Sequence, residues 1–216
     1  MNLEQLRFNM IEQQIRPWDV LDPRVLELLK VVRREQFVPP ASRALAFFDT
    51  EIPLGHGASM WQPKLEARAV QALALQPSNS VLEIGSGSGY LTALLGRMAA
   101  QVTSVEIEPE LSAQAARNLA AHNIGNVNLQ VGDAAQHWGE AEYDAIVLTG
   151  STPVLPPAYK QQLKIGGRLF AIVGDAPAMQ AQLITRTAAE KFETRVLFET
   201  AVAPLRNALQ PQRFVF

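Results

Sequence analysis

From Val81 onward, short apolar runs alternate with stretches of helical spacing. Val81–Ile84, Val102–Ile107, Val127–Val131, Tyr143–Leu148 and Gly167–Val173 read as strands. Tyr90–Met98, the alanine-rich Glu110–His122 and Pro157–Leu163 read as the helices between them. Two late runs, Gln182–Thr187 and Phe192–Phe198, alternate in polarity as half-buried strands do. Strands and helices alternating through short loops predict an α/β, doubly wound, mostly parallel seven-stranded sheet. Right-handed crossovers then bring the strand C-termini, and any ligand, to one edge of it.

The first part of the chain has another rhythm. Leu3, Leu6, Met10 and Ile11 have helical spacing. Asp22-Pro23 is a helix start, with Asp22 as N-cap and Pro23 in the first turn, and Val25, Leu26, Leu28, Leu29 and Val32 supply an apolar face. Phe37-Val38-Pro39-Pro40 is expected to end that helix. Pro53, Gly55, Gly57 and Pro63 make residues 50–63 an ordered loop, and Lys64–Leu75 returns to helical spacing. The expected organisation is a helical extension over 1–75 packed on a core over 76–216, one compact domain overall.

Composition narrows the function classes. The 216 residues suit one α/β domain with a modest extension, and 48% hydrophobic residues allow a sizeable core. Net charge is −2 with Lys and Arg scattered, so no basic face for nucleic acid is expected. There is no cysteine, which excludes disulfides and a thiolate nucleophile, and the three histidines lack metal-ligand spacing. No signal-peptide core or membrane-length apolar run is visible, so a cytoplasmic protein without a membrane partner is expected.

The chemistry is concentrated after the first sheet strand. Glu83-Ile84-Gly85-Ser86-Gly87-Ser88-Gly89-Tyr90 places a glycine-rich turn between strand and helix, where a ligand can approach the backbone closely. A dinucleotide turn has the spacing G-x-G-x-x-G; here the third glycine comes one position early and Tyr90 takes the expected glycine position. Glu106, followed by Ile107, ends the next strand. It is either a surface acid or an acceptor for both hydroxyls of a ribose. Asp133, in Gly132-Asp133-Ala134, ends the third strand, where an acid either accepts from an exocyclic amine or makes an Asx-turn.

An acid two positions before G-x-G-x-G resembles the first motif of the S-adenosylmethionine-dependent methyltransferases. Further elements narrow the resemblance: Asp22-Pro23-Arg24-Val25-Leu26-Glu27, Phe37-Val38-Pro39, Gly55-His56-Gly57, Gln62-Pro63 and Leu163-Lys164-Ile165-Gly166-Gly167-Arg168-Leu169. In order, these are similar to the protein-L-isoaspartate O-methyltransferases, from about residue 10 to 205. The resemblance implies a Rossmann-like methyltransferase fold and S-adenosylmethionine as cofactor. It also implies methylation of the α-carboxylate of isoaspartyl residues in damaged protein, whose methyl ester cyclises to a succinimide during repair. Glu83, Gly85, Ser86, Gly87, Gly89, Glu106, Ile107, Gly132, Asp133 and Ala134 become the expected cofactor contacts. Within that set, Glu83 would help hold the methionine amino group, often through water. Ser86 and Ser88 would face its carboxylate near the helix N-terminus.

Two segments depart from the family pattern. The family loop reads approximately G-x-G-x-T-I-S-Q-P, and its serine is usually assigned to the active site. Here the loop is Gly55-His56-Gly57-Ala58-Ser59-Met60-Trp61-Gln62-Pro63, with Ser59 at the threonine position and Trp61 at the serine position. Trp61 is either core filling or a stacking wall for a planar substrate. The family's F-V-P-L near the C-terminus, which helps line the peptide groove, appears as Val202-Ala203-Pro204-Leu205. Ser59 and Trp61 are the candidate catalytic positions. Gln62, Thr149 and Ser151 are candidate substrate contacts, although Thr149 and Ser151 also suit a simple turn before Pro153. The alternatives to isoaspartate methylation are a diverged methyltransferase for a small-molecule acceptor and a cofactor-binding protein without catalysis.

Overall fold

The computed structural model describes residues 2–211; Met1 of the expected extension and 212–216 of the expected core lie outside the described residues. Helix α1 (Leu3–Met10) begins where the Asn2 side chain accepts from the amides of Glu4 and Gln5. It continues into a wider π turn over Ile11–Ile15, which buries Ile11 and Ile15. Helix α2 (Pro23–Val31) starts as the sequence suggests, with the Asp22 carboxylate accepting from the Arg24 amide and Pro23 in the first turn. It stops earlier than expected. Val32 turns extended, and a short 3₁₀ turn over Arg34–Gln36 follows. The unwinding lets the Arg34 guanidinium enter the interior instead of continuing along an exposed helix face.

Residues 50–63 are not a plain loop. Strands β1 (Ile52–Gly55) and β2 (Ala58–Met60) pair antiparallel. His56 and Gly57 take φ of 54° and 74°, as a two-residue hairpin turn requires. The Pro and Gly residues that read as breaks therefore build the turn and its bulge. Helix α3 (Pro63–Leu73) follows at once and ends where Ala74 takes a left-handed φ of 46°.

The sheet comprises β3 (Ser80–Ile84), β4 (Gln101–Glu106), β5 (Val127–Val131), β6 (Tyr143–Thr152), β7 (Leu163–Val173), β8 (Met179–Ala188) and β9 (Lys191–Thr200). Helices α4 (Tyr90–Met98), α5 (Pro109–Ala121) and α6 (Pro157–Gln161) make the crossovers. The strand order is β5-β4-β3-β6-β7-β8-β9. β3 to β7 pair parallel, and β8 and β9 close one edge antiparallel. This is the mostly parallel seven-stranded sheet expected from the apolar pattern. Several strands run longer than their apolar runs because polar termini such as Thr149–Thr152 still pair.

Buried side chains of the extension, among them Ile11, Val25, Leu29 and Phe37, share a core with Val81, Leu94 and Phe170 of the sheet layer. From β3 the strands are added in one direction to β5 and then, from β6 on, in the other, so the space beyond the C-terminal ends of the parallel neighbours β3 and β6 is the topological switch point.

Candidate active site

A cavity opens at that switch point, enclosing about 1050 Å³ including its open mouth. One side is made by the turn after β3: Gly85, Gly87 and Gly89 take φ of 97°, 51° and 80°. Gly85 must be glycine for a second reason, because an added Cβ would stand 2.1 Å from Thr149 Oγ1. At Gly89 a Cβ would stand 3.2 Å from the backbone of Ala115, so this glycine lets α4 start close against α5.

Glu106 and Ile107 at the end of β4, and Gly132, Asp133 and Ala134 after β5, line the same cavity. Glu106 is 6% exposed. Its Oε2 accepts from the Gly87 amide at 2.9 Å and its Oε1 from the Glu108 amide at 3.1 Å. The carboxylate thus fixes the glycine turn and keeps lone pairs toward the cavity. Asp133 does form an Asx-turn, through the Ala135 amide at 3.0 Å. Its other oxygen accepts from the Asn207 side chain at 2.8 Å.

Glu83 lies beneath the turn, fully buried and off the cavity wall. Its Oε2 accepts from the hydroxyls of Thr92 and Ser104, while Oε1 has no partner among the described residues. Burial pushes its carboxyl up to about 8. The two hydroxyls pull it down, and Glu106 and Glu66 add repulsion. Ser86, expected to face a ligand, lines the cavity, and its Oγ is paired with Ser104 Oγ at 2.6 Å. Ser88 borders the cavity, and its Oγ accepts from the Tyr90 amide at 3.3 Å.

The opposite wall is built by the hairpin and the C-terminal segment. Ala58, Ser59, Met60 and Trp61 line it, together with Ala203, Pro204, Leu205 and Arg206. Trp61 is 5% exposed and packs edge-on to Phe170, with ring centroids 6.2 Å apart. It therefore fills core and borders the cavity at once. Its carbonyl accepts from the buried Arg34 guanidinium, which also reaches Glu66 at 3.1 Å and the Ala46 carbonyl at 2.9 Å. Arg206 ties the two segments of this wall together, donating to Glu108 and to the His56 carbonyl. The His56 ring lies between the carboxylates of Glu108 and Glu110, at 3.3 and 3.0 Å.

Three expected substrate contacts are placed elsewhere or otherwise engaged. Ser151 is fully buried and donates to the Val202 carbonyl at 3.2 Å, which joins β6 to the C-terminal segment. Gln62 stands at the N-cap position of α3, where its backbone carbonyl accepts from the Leu65 and Glu66 amides, and it does not line the cavity. Thr149 borders the cavity, but its hydroxyl points at the carbonyls of Ile84 and Gly85, 2.7 and 2.8 Å away. Sequence reasoning missed Glu66 and Arg206 on the wall. Glu66 sits on the apolar face of α3, an unusual place for an acid and the one signal that marked it.

The whole arrangement matches known proteins. Residues 5–210 match the family described as protein-L-isoaspartate(D-aspartate) O-methyltransferase (PCMT). Protein-L-isoaspartate O-methyltransferase 1 of Rhodopseudomonas palustris (strain HaA2) is 42% identical over 201 residues, covering 92% of this chain and 82% of the relative. Protein-L-isoaspartate O-methyltransferase 2 of Marinobacter nauticus is 38% identical over 206 residues, covering 94% of both. The backbone fold agrees with that of a Plasmodium falciparum structure described as a protein-L-isoaspartate O-methyltransferase in complex with S-adenosyl-L-homocysteine. The TM-score is 0.77 at 20% identity, over 95% of this chain and 98% of that one. By its sequence from one end of the fold to the other, the chain belongs to the protein-L-isoaspartate O-methyltransferase family.

Proposed function

We propose that this protein methylates the free α-carboxylate of isoaspartyl residues in damaged protein or peptide, with S-adenosylmethionine as donor. The observation that supports it most is one cavity bounded by the glycine turn, Glu106 and Asp133 on one side and by the hairpin and C-terminal segment on the other. The residues present fit the donor. Glu106 offers acceptors where a ribose supplies two hydroxyl donors, Asp133 offers one at the end of β5, and the glycine turn lets a ligand lie against backbone. Five carboxylates (Glu51, Glu66, Glu106, Glu108 and Asp133) and one guanidinium (Arg206) line the cavity, a balance that favours a cationic ligand. The bound donor supplies a methyl group activated on a sulfonium.

The chain's own part is to hold and orient. An acceptor carboxylate is already ionised at neutral pH, so no side chain has to remove a proton. Trp61 at the serine position is therefore compatible with the reaction. Together with Met60 and Leu205 it makes an apolar wall that keeps water from the reacting pair. Ser59 is the hydroxyl of the hairpin that borders the cavity. Trp61 on the wall also supports a second reading, in which the acceptor is a planar small molecule. Incubation with labelled donor and an isoaspartyl peptide, against the same peptide with ordinary aspartate, decides between them. Methyl ester formed on the first peptide alone supports the proposal. Label on neither peptide but on a planar acceptor supports the second reading.

A further inference from the structure

We infer that Glu66 takes the α-ammonium of the cofactor's methionine end. The inference rests on the cofactor reading above. In that reading Glu106 and Asp133 serve ribose and adenine at the ends of β4 and β5, and the cavity they line is also bordered by the glycine turn, Ile84, Trp61 and Glu66, which leaves these to the methionine end. An ammonium brings three donors and a full charge, and a carboxylate is the side chain that answers both.

Glu83, the acid expected for this task, does not reach the cavity. It is 0% exposed, and two hydroxyls occupy one of its oxygens. Glu108 is held by Arg206 and His56 at the mouth, and Glu51 sits in a half-exposed stretch where water competes. Glu66 is different. It is 2% exposed, it borders the cavity, and Arg34 is its one hydrogen-bond donor among the described residues, through Oε2 at 3.1 Å.

The groups facing Glu66 are few. They are Arg34 from the turn after α2, Tyr90 at the start of α4, and Glu83 of β3. Arg168 of β7 donates to the Ala72 carbonyl at the far end of α3. Burial raises the Glu66 carboxyl to about 7, with Arg34 drawing it down. A cation arriving beside it stabilises the ionised form, so cofactor binding near neutral pH expels a proton.

Calorimetry at pH 7 tests this with S-adenosylhomocysteine and its analogue lacking the α-amino group, in two buffers of different ionisation enthalpy. Wild type is expected to bind the amino form at least about tenfold tighter, as for a hydrogen bond between charged groups, and to release protons. Glu66→Gln is expected to discriminate little between the two ligands and to release few protons. The wild-type discrimination and proton release need no variant, so they stand even if Glu66→Gln weakens the fold. Discrimination retained in Glu66→Gln, or an equal loss for both ligands, overturns the inference. So does proton release that survives in Glu66→Gln and vanishes in Glu83→Gln. Wild type that binds neither ligand overturns the cofactor reading and the inference with it.

Discussion

Replacing Gly85 with alanine tests the geometry of the glycine turn directly. The residue has φ of 97°, in a region where a side chain costs about 1–3 kcal/mol. The new Cβ would meet Thr149 Oγ1 at 2.1 Å, so Thr149 must rotate away. Rotation forfeits the hydroxyl's bond to the carbonyls of Ile84 or Gly85, about 1 kcal/mol net. Gly85→Ala is therefore expected to cost about 2–4 kcal/mol in urea unfolding. Thr149→Ala alone is expected to cost about 1 kcal/mol. In that background the clash is gone, and Gly85→Ala costs only the backbone strain. The two substitutions should thus be less than additive by about 1 kcal/mol. Equal costs for Gly85→Ala in both backgrounds, or a cost below about 0.5 kcal/mol in the wild type, would refute the reasoning.

Three further outcomes are expected. Glu106→Ala removes an acceptor from the ribose and the anchor of the Gly87 amide, and should weaken cofactor binding by about 1.5–3 kcal/mol in calorimetry; an unchanged dissociation constant would make Glu106 only a loop anchor. Trp61→Ser empties a core site packed on Phe170 and should cost about 3–5 kcal/mol in stability. A loss under about 1 kcal/mol would show that the indole packs loosely. The third concerns pH. Glu83 rises from an ordinary value of 4.5 to about 8 on folding, so the folded state holds a proton that the unfolded chain releases. Its contribution is complete below about pH 4.5 and is lost as pH climbs through about 8. Denaturation midpoints should fall over that window in the wild type and fall less in Glu83→Gln; equal slopes would contradict the assignment.

Much of this was legible in the residues. The inner strands of the sheet announced themselves by apolar residues, because a parallel strand buried on both faces shows little polar alternation, and the antiparallel β8 and β9 announced themselves by their alternation. The glycine turn was legible because its positive φ angles admit few residues other than glycine. The hairpin over 52–60 was not, since Pro53, Gly55 and Gly57 signal a break whether or not the flanking residues pair. The end of α2 was also misplaced. Nothing local shows that Arg34 will bury itself against Glu66, Ala46 and Trp61, partners far along the chain. The place of Ser151 was hidden for the same reason: its hydroxyl donates to the carbonyl of Val202, whose position only the tertiary fold decides. Small polar residues after a strand look alike whether they face a ligand or a neighbouring segment.

The most direct test of the central claim is methyl transfer itself. Purified protein with labelled S-adenosylmethionine is expected to form a base-labile methyl ester on an isoaspartyl peptide and none on its aspartyl twin, with succinimide appearing as the ester decays. Tight binding of the cofactor with no ester on the isoaspartyl peptide, at any pH from 6 to 8, would contradict it.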